Sequence, residues 1–232
     1  FNPSTQRAAV TLTSSQQDVI LDLLYKDLGL TRIRPVTEGE VETVNDNASP
    51  QQTDLSAFNF AWKRNDAHVD IVKRSIARGV NTYFLSPVTI ESWMGTSSST
   101  DVQEYVEWAM AIIRRWRALG VELPLYSVAN EPGYNRNPMS GEFIRDVIKV
   151  LGPALRAEGF QTKFVITDDL NPNEAYQRSV VILADPQARP YVAALATHLY
   201  GGRDLTRLAS LSRQYQLPLW MTEYSRAENG SD

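Results

Sequence analysis

Along this chain, stretches with apolar residues three and four positions apart keep giving way to short extended runs. Glycine stands at the joint in Gly29, Gly79, Gly120 and Gly159. Thr13, Ser14 and Ser15 offer N-caps for a helix with Val19, Ile20, Leu23, Leu24 and Leu28 on its inward face, followed by a strand over residues 30–37. Val69, Val72 and Ile76 mark a second helix before Val80-Asn81-Thr82-Tyr83-Phe84-Leu85-Ser86. A third, from Val102 to Leu119, leads to the run ending at Glu131. Ser140 caps a fourth, which Pro153 could kink, before the run 163–168. Helices near residues 175–183 and 205–215 precede runs at 193–200 and 217–223. Six helix-then-strand units predict a parallel sheet with helical crossovers.

The strand ends choose between sheet types. Arg34, Ser86, Glu131, Asp168, His198, Tyr200 and Glu223 all fall at carboxyl ends of predicted strands. A barrel gathers those ends on one face, whereas an open doubly wound sheet concentrates function at one switch point. No Gly-rich phosphate loop follows any strand. The expectation is an α/β fold like a (β/α)8 TIM barrel, incomplete, with about six parallel strands and the first and eighth missing. It is read as one domain over residues 1–232, truncated at both ends. Its edges, residues 30–37 and 218–224, would be unpaired and would favour a homodimer or other oligomer, unless a strand near residues 8–12 closes the sheet. The long insertion over residues 38–65 is either a wall over the cleft or a disordered segment.

Composition removes several functions. At 232 residues and 43% hydrophobic content the chain can bury a sizeable core. A net charge of −4 with mixed signs offers no basic stripe for nucleic acid. No run approaches the roughly 18 apolar residues of a membrane span, and the first residues carry no apolar signal core. The absence of cysteine excludes disulfides, thiolate metal sites and a cysteine nucleophile. His68 and His198 alone do not make a histidine-rich metal site.

Glu131 closes Leu125-Tyr126-Ser127-Val128-Ala129-Asn130-Glu131-Pro132, and Glu223 closes Leu217-Pro218-Leu219-Trp220-Met221-Thr222-Glu223. A carboxyl at a strand end is costly to bury and adds nothing to packing. A pair of them suits glycosidic bond cleavage, one protonated at the leaving oxygen and one ionised at the anomeric carbon.

These runs resemble the acid/base and nucleophile strands of the clan of retaining glycoside hydrolases with (β/α)8 barrels. Thr31-Arg32-Ile33-Arg34-Pro35, Ser86-Pro87-Val88-Thr89-Ile90-Glu91-Ser92-Trp93-Met94 and Thr197-His198-Leu199-Tyr200-Gly201-Gly202 are similar to glycoside hydrolase family 30 in particular. The resemblance runs in order from Thr13 to Ser225. It implies Glu131 as general acid/base, Glu223 as nucleophile, and Asn130 as partner of the sugar's 2-hydroxyl. Arg34 would hold Glu223 ionised, with Tyr200 or His198 orienting it. Trp93, Tyr134 and Tyr224 would be aromatic walls. It implies a β-linked glycan or glycoside as substrate, no metal or cofactor, and a secreted or extracellular setting. The family's Gly-rich first strand, its eighth strand and its β-sandwich appendage are not found.

Each residue also has a simpler reading. Arg34 could be a surface ion pair, His198 a hydrogen-bonded core histidine, Trp93 packing under the insertion, and Asp168-Asp169 turn or capping chemistry. Two other functions stay open: a vestigial carbohydrate-binding barrel, and an ester hydrolase, which lacks a Gly-x-Ser-x-Gly elbow here.

Overall fold

The computed structural model describes residues 12–61, 65–134, 137–202 and 204–224. Its first helix, α1 (Ser14–Asp22), opens on a reciprocal box in which Thr13 and Gln16 each bond the other's backbone, and it passes into a π turn over Leu23–Asp27. The remaining elements alternate: β1 (Arg32–Ile33), β2 (Val36–Thr37), α2 (Asn65–Ile76), β3 (Thr82–Pro87), α3 (Ser99–Ala118), β4 (Leu125–Tyr126), α4 (Gly141–Ala157), β5 (Lys163–Asp169), α5 (Pro172–Ala184), β6 (Val192–His198), α6 (Thr206–Tyr215) and β7 (Leu219–Glu223). Every strand pair is parallel, in the order β1-β3-β4-β5-β6-β7, with β2 also on β3. The result is a curled, incomplete barrel of six strand positions.

The first position is broken rather than continuous. Pro35 has no N–H for the ladder, so β1 and β2 are two halves of one segment running along β3. Ser86 still donates its amide to the Pro35 carbonyl at 3.1 Å, which holds Arg34 at the break.

Alternation along the strands makes two apolar layers. Phe84, Val165, Ala194 and Ala196 line the inside with Leu125 and Trp220. Leu85, Phe164, Ile166 and Leu195 point the other way, into the large core shared with α3, α4 and α5. α4 continues past Pro153 without a break, and Ser140 caps it through the Phe143 amide.

The inward face expected for α1 is corrected. Leu21 and Tyr25 are buried, while Val19, Leu23 and Leu28 are exposed. Asp18 and Asp22 lie on the same face as Leu21 and Tyr25 and pair with Arg74 and Arg78 of α2, so the face turned to α2 is a mixed one and the apolar stripe stays outside. The insertion is ordered against α3 through residue 61 rather than disordered.

The edges are as expected: β1 with β2 on one side and β7 on the other have no further strand partner among the described residues. The suggested strand at residues 8–12 lies, but for Leu12, outside the described residues. The edges meet instead through side chains. Arg32 lies 4.9 Å over the Trp220 ring, beside a groove of about 230 Å³ bounded by Arg32, Phe84, Trp220 and Met221.

Candidate active site

Six of the nine residues expected at the site come together at the carboxyl ends of the strands. Arg34 is 5% exposed, which rules out the surface ion-pair reading. Its Nη1 donates to Glu223 Oε2 at 3.0 Å, its Nη2 to Asp168 Oδ2 at 2.7 Å, and Nη2 also to Asn130 Oδ1. Tyr200 donates its hydroxyl to the other Glu223 oxygen at 3.1 Å. His198 Nδ1 meets Glu131 Oε1 at 2.7 Å, and its Nε2 meets Asp168 Oδ1 at 3.3 Å. Glu131, Asn130, Arg34, His198, Tyr200 and Glu223 therefore form one hydrogen-bonded network.

The three aromatic walls are placed differently. Trp93 is half-buried and donates its indole N–H to the Glu42 carbonyl at 2.7 Å, so it is tied to the insertion. Tyr134 is 73% exposed in the turn after Glu131, and Tyr224 is 45% exposed just beyond β7. Neither ring hydroxyl makes a bond within the network.

Asp168 is the residue that sequence reasoning undervalued. It caps nothing: α5 is capped by Asn171. Fully buried, Asp168 accepts from Arg34, Ser86 Oγ at 2.6 Å and Thr222 Oγ1, and faces His198. Burial alone would raise its pKa, but Arg34, His198 and Ser86 outweigh it and hold the carboxylate well below its ordinary range. Its neighbour Asp169 pairs with Arg178 at 2.8 Å, yet burial pushes it up to about 7. The only sequence signal was two acids ending an apolar strand, which a turn explains equally well.

Backbone conformation aims the groups. Glu131 and Asp168 sit at φ 46° and 56°, left-handed values that cost a side-chain-bearing residue energy and cluster at functional sites. The Glu131 amide donates to the Asp168 carbonyl at 2.9 Å, so the two turns support each other.

Charge follows from contacts. Burial lowers the His198 pKa, but its bonds to Asp168 and Glu131 overcome this and raise it to about 9. The ring is therefore an imidazolium near neutral pH and donates from both nitrogens. Glu131, His198 and Glu223 each place one ligand atom within 4.8 Å of the others, a possible three-donor metal set. The Arg34 guanidinium on Glu223 and the proton on His198 oppose a cation there. The arrangement suits two carboxyl groups held in different settings: Glu223 between two donors, and Glu131 on an imidazolium with its other oxygen free of that bond.

This is an incomplete (β/α)-barrel with a pair of carboxylates gathered near its strand ends, and known proteins share its fold. The fold is similar to that of the endo-β1,6-glucanase BT3312, with a TM-score of 0.73 and 24% identity over 95% of this chain and 55% of that one. It is similar to the glycoside hydrolase family 30 subfamily 8 xylanase Xyn30A from Clostridium acetobutylicum, with a TM-score of 0.66 and 23% identity over 88% of this chain and 51% of that one. In sequence it is 25% identical, over 82% of its length, to a Caenorhabditis elegans protein named "Putative glucosylceramidase 4". The chain spans 42% of that relative's length. No protein-family model matches. The resemblance to family 30 thus holds in fold.

Proposed function

We propose that the chain is the core of a retaining β-glycoside hydrolase acting on a β-linked glycan or glycoside. The observation that carries this reading is the approach of Glu131 and Glu223, 92 positions apart in sequence, to within 4.8 Å between carboxylate oxygens. Retaining enzymes hold the two carboxyl groups about 5–5.5 Å apart, whereas inverting enzymes leave roughly 6.5–9.5 Å for a water.

Glu223 attacks the anomeric carbon, and the bond to the leaving oxygen breaks as Glu131 delivers its proton. Glu131 then takes a proton from water, whose oxygen displaces Glu223. Arg34 and Tyr200 supply charge-assisted bonds that keep Glu223 ionised and aimed. Because Asn130 Oδ1 accepts from Arg34, its amide N–H is left for the 2-hydroxyl, a contact that strengthens in the transition state. The barrel's open side favours one rival, a carbohydrate-binding module that holds the carboxylates without reactive positioning. Self-association through the free edges belongs to the same proposal.

A panel of chromogenic β-glycosides set against p-nitrophenyl esters tests it. Release from a β-glycoside that disappears in Glu223→Gln is the expected result. Ester turnover alone would contradict the reading, and glycan binding without turnover would favour the rival.

A further inference from the structure

A second group of acids, which the proposed reaction does not use, lies where the insertion meets α3. Glu91, in the loop after β3, is fully buried. Its carboxyl accepts the amides of Glu40 at 2.7 Å, Val41 at 2.9 Å and Glu42 at 3.1 Å, and the Trp108 indole N–H at 2.9 Å. Glu40 takes φ 71°, a left-handed turn that lets consecutive amides converge on one acceptor. The Glu42 carbonyl then accepts the Trp93 indole N–H. Glu91, the insertion and Trp93 are thus one hydrogen-bonded unit.

The surroundings of that unit are acidic and nearly dry. Glu42, Glu104 and Glu107 are 2%, 8% and 7% exposed. Around them stand Asp46 from the insertion, Glu91 from the β3–α3 loop, and Asp101 and Arg114 from α3. Arg114 is engaged by Glu158 at 3.0 Å, and its charge, like a bond from Thr53, lowers the Glu107 pKa by less than burial raises it. Glu107 Oε1 is buried without a hydrogen-bond partner among the described residues. An ionised oxygen in that place is costly, whereas a protonated carboxyl is not. Burial outweighs the bond that Glu42 accepts from the Asp46 amide and, with the charges of Asp46, Glu107 and Glu91 adding to it, pushes Glu42 up to about 8. Burial, with Asp46 and Glu104, pushes Glu107 up to about 7.

We propose that residues 38–61 form a proton-latched wall of the cleft: neutral Glu42 and Glu107 let the insertion lie on α3, Glu91 positions it, and loss of the protons releases it together with Trp93. Seated pKa values above the ordinary carboxylate value mean that seating is fully favoured below about pH 4.5 and is lost as pH rises through about 7 to 8. Only the consequence for turnover rests on the glycosidase reading.

Amide hydrogen exchange over residues 38–61 between about pH 5.5 and 9, corrected for intrinsic rates, tests the latch in the wild type and in the Glu42→Gln, Glu107→Gln double variant. The expected result is a fall of about tenfold or more in protection at Glu40, Val41 and Glu42 in the wild type, absent from the double variant, whose amides stay neutral. Trp93→Phe should remove the accompanying fluorescence change. Glu91→Gln should raise exchange at every pH, because it removes the anchor rather than the titration. Flat protection in the wild type would overturn the proposal whether or not the double variant folds, as would the same transition in both proteins. If glycosidase activity is found, KM should rise across that range more than kcat falls. Activity with flat exchange would sink the latch alone, and a clear exchange transition without activity would sink only the glycosidase reading.

Discussion

Within the site, the assignments differ in how each residue acts, and substitutions separate them. Glu223→Gln keeps shape and removes the attacking charge, so kcat should drop by about a thousandfold or more with melting temperature nearly unchanged. Activity within tenfold of wild type would remove Glu223 from the nucleophile role. Glu131→Gln should spare substrates with good leaving groups, which need less protonation, and equal losses on activated and unactivated glycosides would count against the acid role. Asp168 touches no substrate in this account and acts through Arg34 and His198. Asp168→Asn leaves two buried cations short of a counter-charge, and should cost about 3–5 kcal/mol in chemical denaturation while lowering kcat. The positions of the glutamates, Arg34, Asn130, His198 and Tyr200 were legible in the sequence because each stands at or shortly after the end of a strand, in a recognisable run. Asp168 was not, because its partners come from four other segments that only the fold assembles.

Elements were legible where local chemistry decides them. Thr13 and Ser140 cap the helices they were expected to cap, since a hydroxyl three residues before a free amide works without tertiary help. The burial face of α1 was misread because the face turned to α2 is the mixed one of Asp18, Leu21, Asp22 and Tyr25, which an apolar stripe does not reveal. The split of the first strand needed Pro35 to be weighed against its extended neighbours. Packing between elements is tight where α4 crosses the turn before β6. A Cβ on Gly152 would lie 2.6 Å from the Tyr191 ring. Gly152→Ala should therefore destabilise by about 1–3 kcal/mol despite alanine's better helix propensity. Unchanged or raised stability in thermal melts would show that the ring yields freely.

For the whole molecule, four buried groups set one direction of pH dependence. His198 is raised to about 9, Glu42 to about 8, and Glu107 and Asp169 to about 7. Each folded value lies above the unfolded one, so each contributes stability that is present below the unfolded pKa and lost as pH rises through the folded pKa. Melting temperature should fall steadily from about pH 6 to pH 9, and a flat profile would mean these groups do not titrate as buried acids and imidazolium. The edges at β1 with β2 and at β7, which have no further strand partner among the described residues, lead us to expect self-association, with light scattering as the check and a stable monomer as the contrary result. The parallel sheet was readable from period switching and the curled barrel from the polar strand ends, whereas the side-chain contact across its open side, with Arg32 over the Trp220 ring, was not. In the proposed reading, the curl of the barrel makes a catalytic pair of two distant glutamates. It is tested most directly by treating the protein with activated β-glycosides that carry fluorine in place of the C2 hydroxyl and mapping the adduct by mass spectrometry. The account predicts a glycosyl group covalently attached to Glu223 and its absence in Glu223→Gln; turnover of the parent glycoside with the label on any other residue would contradict it.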